Sequence, residues 1–410
     1  MPAVSSTPDR YPEQRDAKPV FFLILLVILT CVQGIRVSDV PVPFALFFGI
    51  FYLFLFRPPI PAAAPRVYAI VISYLLLVST VNALRETGGV RDFLYIGICL
   101  TNIAVTITLF DLFRDLGARK VGIALMVVAL FEVTLQILEF FDVGGFNGFM
   151  APVLRFWAAQ TNSEAFLSPE QFATRAPGTF GASTGAGMAL YLVVRGAAIV
   201  LRRRSMIYLS IIPIIIGGAR NALVIFLLWE IFIQVPLYWR RNSALAVTGL
   251  LLIFTATITL LAFPRLITGV FIFNSLTSPT RFAEGVSVVN RLRSFQWALQ
   301  HWQQVATFGG LTSAELADRI SWQGGGVDSE LVLRSLQFGF TGFLCLLASN
   351  IWTGFFWRNP DSWFIVVFAI ISSLTNAMLT NFVLFPFIII YCLCLYLDQI
   401  ESPRRMPPQN

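Results

Sequence analysis

Apolar runs recur along the chain at 20–34, 42–56, 67–84, 93–113, 121–141, 179–200, 205–217, 221–238, 244–263, 330–350, 361–376 and 381–398. A run of roughly 20 apolar residues spans the ~30 Å hydrocarbon core of a bilayer when helical. The pattern therefore predicts an all-α, polytopic integral membrane protein with about twelve transmembrane helices, residues 1–410 forming one transmembrane domain. The segment before Pro19 is polar and mixed in charge, and no small-residue cleavage pattern follows the first run. That run reads as a retained span rather than a signal peptide.

The polar positions between the runs give an orientation. One set of loops carries Arg10, Arg15 and Lys18, then Arg57 and Arg66, then Arg114, Arg119 and Lys120. It continues with Arg202, Arg203 and Arg204, Arg240 and Arg241, Arg358, and Arg404 and Arg405. The alternate short loops hold Arg36, Arg85, Arg91 and Arg220. By the positive-inside rule the first set is cytoplasmic, so both termini are cytoplasmic and the span count is even. Two outer loops are long, at 142–178 and 264–327. Long loops translocate largely regardless of charge, and loops of that length are usually functional. Any chemistry is therefore expected on the outer face.

Composition agrees with a membrane chain and removes other classes. The residues are 57% hydrophobic and 12% charged, too few charges to cover a soluble domain of 410 residues. The net charge of +7 sits in short loops as a topogenic signal, so no nucleic-acid partner is expected. Cys31, Cys99, Cys345, Cys392 and Cys394 all fall in apolar runs and suggest no disulfide. With one histidine, His301, and no His/Cys cluster, no metal site is expected.

Arginine outnumbers lysine 27 to 2. A planar guanidinium can bond two phosphate oxygens at once, which suits pyrophosphate. Arg175 ends the first long loop in "TRAPGTFGASTGAGMAL", and Arg220 follows a Gly-Gly turn in "IIGGARNALVIFLLWE". Arg291 and Arg293 lie in "VVNRLRSFQWALQHW" in the second long loop. A plainer reading stands beside each: Arg220 snorkels to the interface, and Arg291 and Arg293, two apart, diverge on a helix so that one is structural. Gly181, Gly185 and Gly187 read as packing positions between helices.

"GGVDSELVLRSLQFGFTGFL" places Asp328, Glu330 and Arg334 at the entry of an apolar helix. Asp328 can cap the first turn, and Glu330 with Arg334 has the spacing of an intrahelical ion pair. Asp111, Glu132 and Glu230 put acids inside apolar runs, where charge is costly and either functional or paired.

The outer-face segments, in order, resemble the O-antigen polymerase and O-antigen ligase superfamily. "RAPGTFGASTGAGMALYL" resembles its arginine–glycine–phenylalanine–small segment opening a mid-chain helix, and "IIGGARNALVIF" its short turn with an arginine. "NRLRSFQWALQHWQQVATFGGL" resembles its loop motif of arginine, aromatic pair, helix and glycine, and "VDSELVLRSLQFGFTGFL" the entry to the next helix. Ligases of the superfamily usually begin this last motif with histidine and asparagine; Asp328 and Ser329 stand there, which leans toward the polymerase branch.

The resemblance implies a metal-independent membrane glycosyltransferase without cofactor, in the bacterial inner membrane. Its donor and acceptor would be undecaprenyl-pyrophosphate-linked oligosaccharides, used on the periplasmic face, with a chain-length regulator as a possible partner. Arg220 and Arg291, supported by Arg175, would bind the pyrophosphate, with Asp328 orienting or deprotonating the acceptor hydroxyl. Arg293, Glu330 and Arg334 are secondary candidates. A ligase joining finished glycan to lipid A core or protein, and a flippase or other transporter using Asp111, Glu132 and Glu230 as a proton relay, remain the alternatives.

Overall fold

A computed structural model describes residues 17–32, 34–37, 40–60, 63–85, 94–157, 176–180, 183–234, 296, 298–303, 309–310, 330–355, 361–375 and 384–401. They are predominantly helical. The helices are α1 (Ala17–Cys31), α2 (Phe44–Phe56), α3 (Ala63–Leu84), α4 (Leu94–Phe140), α5 (Phe146–Trp157) and α6 (Ser183–Val200). There follow α7 (Ile211–Ile216), α8 (Arg220–Phe226), α9 (Glu330–Phe355), α10 (Ser362–Thr375) and α11 (Phe385–Glu401). α8 continues as a π-helical run over Leu227–Gln234. Among the described residues a short antiparallel hairpin, β1 (Gly34–Val37) with β2 (Val40–Pro43), joins α1 to α2, where the sequence pattern gave no element.

Among the described residues three helical stretches are long and apolar enough to cross a membrane: Arg66–Leu84, Cys99–Phe140 and Leu331–Ala348. Shorter apolar helices make up the rest, and the expected run at 244–263 lies outside the described residues.

The expected spans 93–113 and 121–141 emerge as one helical element broken at a single residue, Gly117 (φ 72°, ψ 167°). Hydropathy ended both spans at Arg114, Arg119 and Lys120, but the backbone stays helical through these charged ends. Only the glycine breaks it, with a positive φ that a side chain would oppose. The break leaves the Ala118 N–H without a helical acceptor, and Glu401 Oε1 takes it at 2.8 Å.

Neighbouring contacts fix the direction of each half of α4. Phe110 stacks on Tyr396 at 5.4 Å while Ala118 meets Glu401, so the first half runs parallel to α11. Phe180, just before α6, packs on Phe387, and Gly196 packs on Cys394, so α6 also runs parallel to α11. On the second half of α4, Gly122 meets Val200 and Leu201 whereas Glu132 meets Thr179, so this half is antiparallel to α6. α4 is therefore a hairpin of two helices, each about 35 Å long at 1.5 Å per residue.

The Gly117 end of the bundle collects Arg57, Arg114, Arg119, Arg202 and Arg203, all exposed. α3 runs antiparallel to the first half of α4, since Tyr68 meets Thr106 while Val71, Leu75 and Val78 cluster with Cys99. Asn82 and the α4 terminus at Phe140 thus share the opposite end. The core between them is aromatic: Tyr191, Phe226, Phe364, Phe368 and Tyr391 pack mutually, with ring centroids 5.2–6.2 Å apart. All five cysteines are free thiols.

Candidate functional site

The end of the bundle remote from Gly117 holds two close approaches between segments distant in sequence. The first is built on the last turns of α4. Glu132, Gln136 and Glu139, spaced four and three apart, lie on one helix face and are fully buried. Buried carboxylates need donors, and the turn Ala176–Phe180 supplies them. Thr179 donates its N–H to Glu132 Oε2 (3.1 Å) and its hydroxyl to Glu132 Oε1. Gly178 N–H donates to Glu139 Oε2 (2.7 Å), and Gln136 Nε2 donates to the Ala176 carbonyl (3.3 Å).

Glycine is required at 178. Its φ is +60°, and a Cβ there would stand 2.8 Å from Glu132 Oε2. The same turn is tied to the Gly217–Gly218 turn, because Ala176 N–H donates to the Ile216 carbonyl (3.2 Å). Close packing of Gly187 on Ala219 holds that junction; a Cβ at 187 would lie 2.6 Å from the Ala219 methyl. The expected packing role is therefore met at Gly187.

The second approach is made by α9, which Gly339 (φ 76°, ψ 165°) interrupts. The interruption frees carbonyls, and partners from other elements take them. The Gln337 carbonyl accepts from Gly310 N–H (3.2 Å) and from Asn82 Nδ2 (3.2 Å). The Phe338 carbonyl accepts from the Tyr74 hydroxyl (3.1 Å). Gly309, at φ +71°, comes so near that a Cβ would be 2.4 Å from the Leu336 carbonyl oxygen. Gly309 and Gly310 are thus seated on α9.

Of the sequence-derived candidates, Arg175, Arg291, Arg293 and Asp328 lie outside the described residues. Arg220 opens α8 and Glu330 opens α9; their backbones are described and their side chains are not. Arg334 is buried on α9 and donates to Gln337 Oε1 one turn on. The Gly117-remote end therefore holds Ala176, adjacent in sequence to Arg175, within one hydrogen bond of the turn that leads to Arg220. It also holds the α9 stretch that carries Arg334.

Sequence reasoning missed a buried cluster toward the other end. Arg195 of α6 is fully buried and ion-paired with Glu230 in the π-helical run and with Asp361 (2.7 Å). Its Nε donates to the Tyr391 hydroxyl (3.1 Å), and its guanidinium lies 4.0 Å above the Phe364 ring. Arg204 binds the second oxygen of Asp361 at 2.9 Å, and the Tyr191 hydroxyl donates to Glu230 (3.1 Å). Two guanidinium groups thus face two carboxylates. A usable signal existed, since Arg195 stands inside the apolar run 179–200.

The three acids considered for a proton relay have separate partners. Glu132 is held by Thr179, Glu230 by Arg195 and Tyr191, and Asp111 by Arg114 (2.7 Å) and the Tyr52 hydroxyl (2.9 Å). Compared with known proteins, the chain matches no family model and no curated protein.

Proposed function

We propose that this chain is a polytopic membrane glycosyltransferase of the O-antigen polymerase type. It would join undecaprenyl-pyrophosphate-linked oligosaccharide repeats on the outer face of the bacterial inner membrane. In this reading Arg220, Arg291 and Arg175 hold the donor pyrophosphate, and Asp328 orients or deprotonates the acceptor hydroxyl. The hydroxyl oxygen attacks the anomeric carbon, its proton passes to the carboxylate, and the carbon–oxygen bond to pyrophosphate breaks. The departing electron pair stays on the pyrophosphate. Positive charge fixed in advance around a polyanionic leaving group lowers the barrier to that departure. The energy comes with the donor, as befits a compartment without nucleotide sugars.

The observation that supports this reading best is the pairing of the four segments that carry the family resemblance. The segment after Arg175 bonds to the turn before Arg220, and Gly310 of the loop motif bonds to the helix that opens at Glu330, two residues after Asp328 in sequence. Both pairings lie at one end of the bundle, away from the basic end. That Asp111, Glu132 and Glu230 each have partners of their own supports this reading over a relay through them.

The test is the lipid-linked glycan profile of a strain deleted for this protein. Single repeats accumulating on the outer leaflet, with surface polymer gone, are expected. Long polymer retained on the lipid carrier would identify a ligase, and repeats held on the cytoplasmic leaflet a flippase; either would overturn the proposal.

A further inference from the structure

α5 is apolar on two sides. Its inner side is buried through Met150, Ala151 and Leu154. Its outer side and the turn before it expose Phe149 (66%), Val143 (54%) and Phe141 (61%). No charged residue occurs from Val143 to Leu154, and Asn147, the one polar side chain in that stretch, is buried. A solvent-facing helix carries charge or polar groups on its outer side. From Val143 to Leu154 this one carries none, its charges standing at the two ends of that stretch, Asp142 in the turn before it and Arg155 in the last helical turn, so water is the wrong occupant for the side between them.

The exposed face continues a stripe on the second half of α4. Ile123, Val127, Leu130 and Phe131 are exposed there, at spacings that keep them on one helix face leading to Phe141. Thr134, exposed within the stripe, turns its hydroxyl inward to the Leu130 carbonyl at 2.8 Å. A polar group facing hydrocarbon has to be satisfied by its own chain in this way. At the stripe's end three positive-φ residues, Asp142 (46°), Gly144 (64°) and Gly145 (77°), redirect the backbone. Asp142 Oδ1 fixes the new direction by accepting the Asn147 N–H at 2.9 Å. The helix that follows is about 18 Å long at 1.5 Å per residue, too short to cross a ~30 Å core.

We propose that α5 is an interfacial helix lying in the outer surface of the bilayer, with lipid acyl chains covering Phe141, Val143 and Phe149. The inference rests on the membrane reading given above and adds a lipid contact to it. Its consequence for that site is positional. α5 follows directly on the α4 terminus, and the last turns of α4 hold the turn at 176–180 through Glu132, Gln136 and Glu139, so an α5 at the headgroup layer puts that turn near the same layer. The pyrophosphate of a lipid-linked donor lies in the same layer.

The experiment places the photoreactive residue benzoylphenylalanine at Phe149, and separately at Phe131, in the full chain. Each variant is reconstituted in phosphatidylethanolamine–phosphatidylglycerol vesicles, irradiated, and read by intact-protein mass, with the attachment point on the lipid mapped by tandem mass spectrometry of the crosslinked peptide. A single-phospholipid adduct is expected at both positions, with attachment nearer the glycerol at 149 than at 131. Lipid at 131 together with a dimer, an intrachain crosslink or no adduct at 149 would overturn the interfacial helix and leave the span standing. Attachment as deep at 149 as at 131 would also overturn it. Lipid at neither position would remove both this inference and the membrane reading.

Discussion

At Gly178 one missing methyl group decides whether a buried acid keeps its donors. The residue combines a left-handed φ with a Cβ position 2.8 Å from Glu132 Oε2. Gly144 has a similar φ of +64° but open space where its Cβ would be. The two alanine variants therefore separate backbone strain from steric displacement. Gly144→Ala carries only the left-handed cost, about 1–2 kcal/mol. Gly178→Ala adds a clash that pushes the Glu132 carboxylate off Thr179, leaving buried polar groups short of a partner at about 1–3 kcal/mol more. Thermal unfolding of the purified variants is expected to show the larger fall for Gly178→Ala and, on the proposed function, a loss of surface polymer with it. Equal falls in the two variants would mean that the cradle does not depend on the missing side chain. The sequence showed this glycine within a suggestive segment and showed Glu132 as a costly charge. It could not show that each answers the other, because their 46-residue separation is closed only by the packing of α4 on α6.

The elements show the same limit on a larger scale. Charges in an apolar run announce that something must neutralise them, but the partner is set by how helices assemble. Arg195 joins α6 to the π-helical run, to the start of α10 at Asp361 and to Tyr391 of α11. Deleting one partner of a buried pair typically costs about 3–5 kcal/mol, since the other charge is left behind. Arg195→Met is therefore expected to reduce the folded fraction sharply, read as the monodisperse peak on size-exclusion after detergent extraction. Adding Glu230→Gln, which removes one of the stranded charges, is expected to restore part of it. A double variant no better than the single one would show that Glu230 is not the partner that matters. The helix breaks were only half legible. Gly117 stood among charges that marked a span boundary, so the break was anticipated and its form was not. Gly339 lay within an apolar run whose hydropathy gave no sign of interruption.

For the whole molecule, the charge pattern gives the expectation with the widest reach. Basic residues collect between the apolar runs, so the alternation of basic and sparse loops predicts an orientation without knowledge of packing, even where, as at Arg114 and Arg119, the backbone stays helical through the charges. The helix directions gather Arg57, Arg114, Arg119, Arg202 and Arg203 at the Gly117 end, whereas α5 and the two glycine-mediated approaches lie at the other. The hairpin at 34–43 and α5 escaped the pattern because both sit in segments judged by their lack of long apolar runs. The orientation itself can be tested with two single-cysteine additions at exposed positions, Arg203→Cys and Gly148→Cys. Four of the native cysteines are buried and Cys345 is partly so, which keeps background labelling low. In intact spheroplasts a membrane-impermeant maleimide is expected to label Gly148→Cys, and to reach Arg203→Cys only after the membrane is permeabilised. The reverse result would put the candidate site in the cytoplasm, where nucleotide-activated donors are available and a lipid-pyrophosphate donor loses its rationale. Labelling of both in intact spheroplasts would mean that the two ends of the bundle face the same compartment, and no spanning topology would survive it.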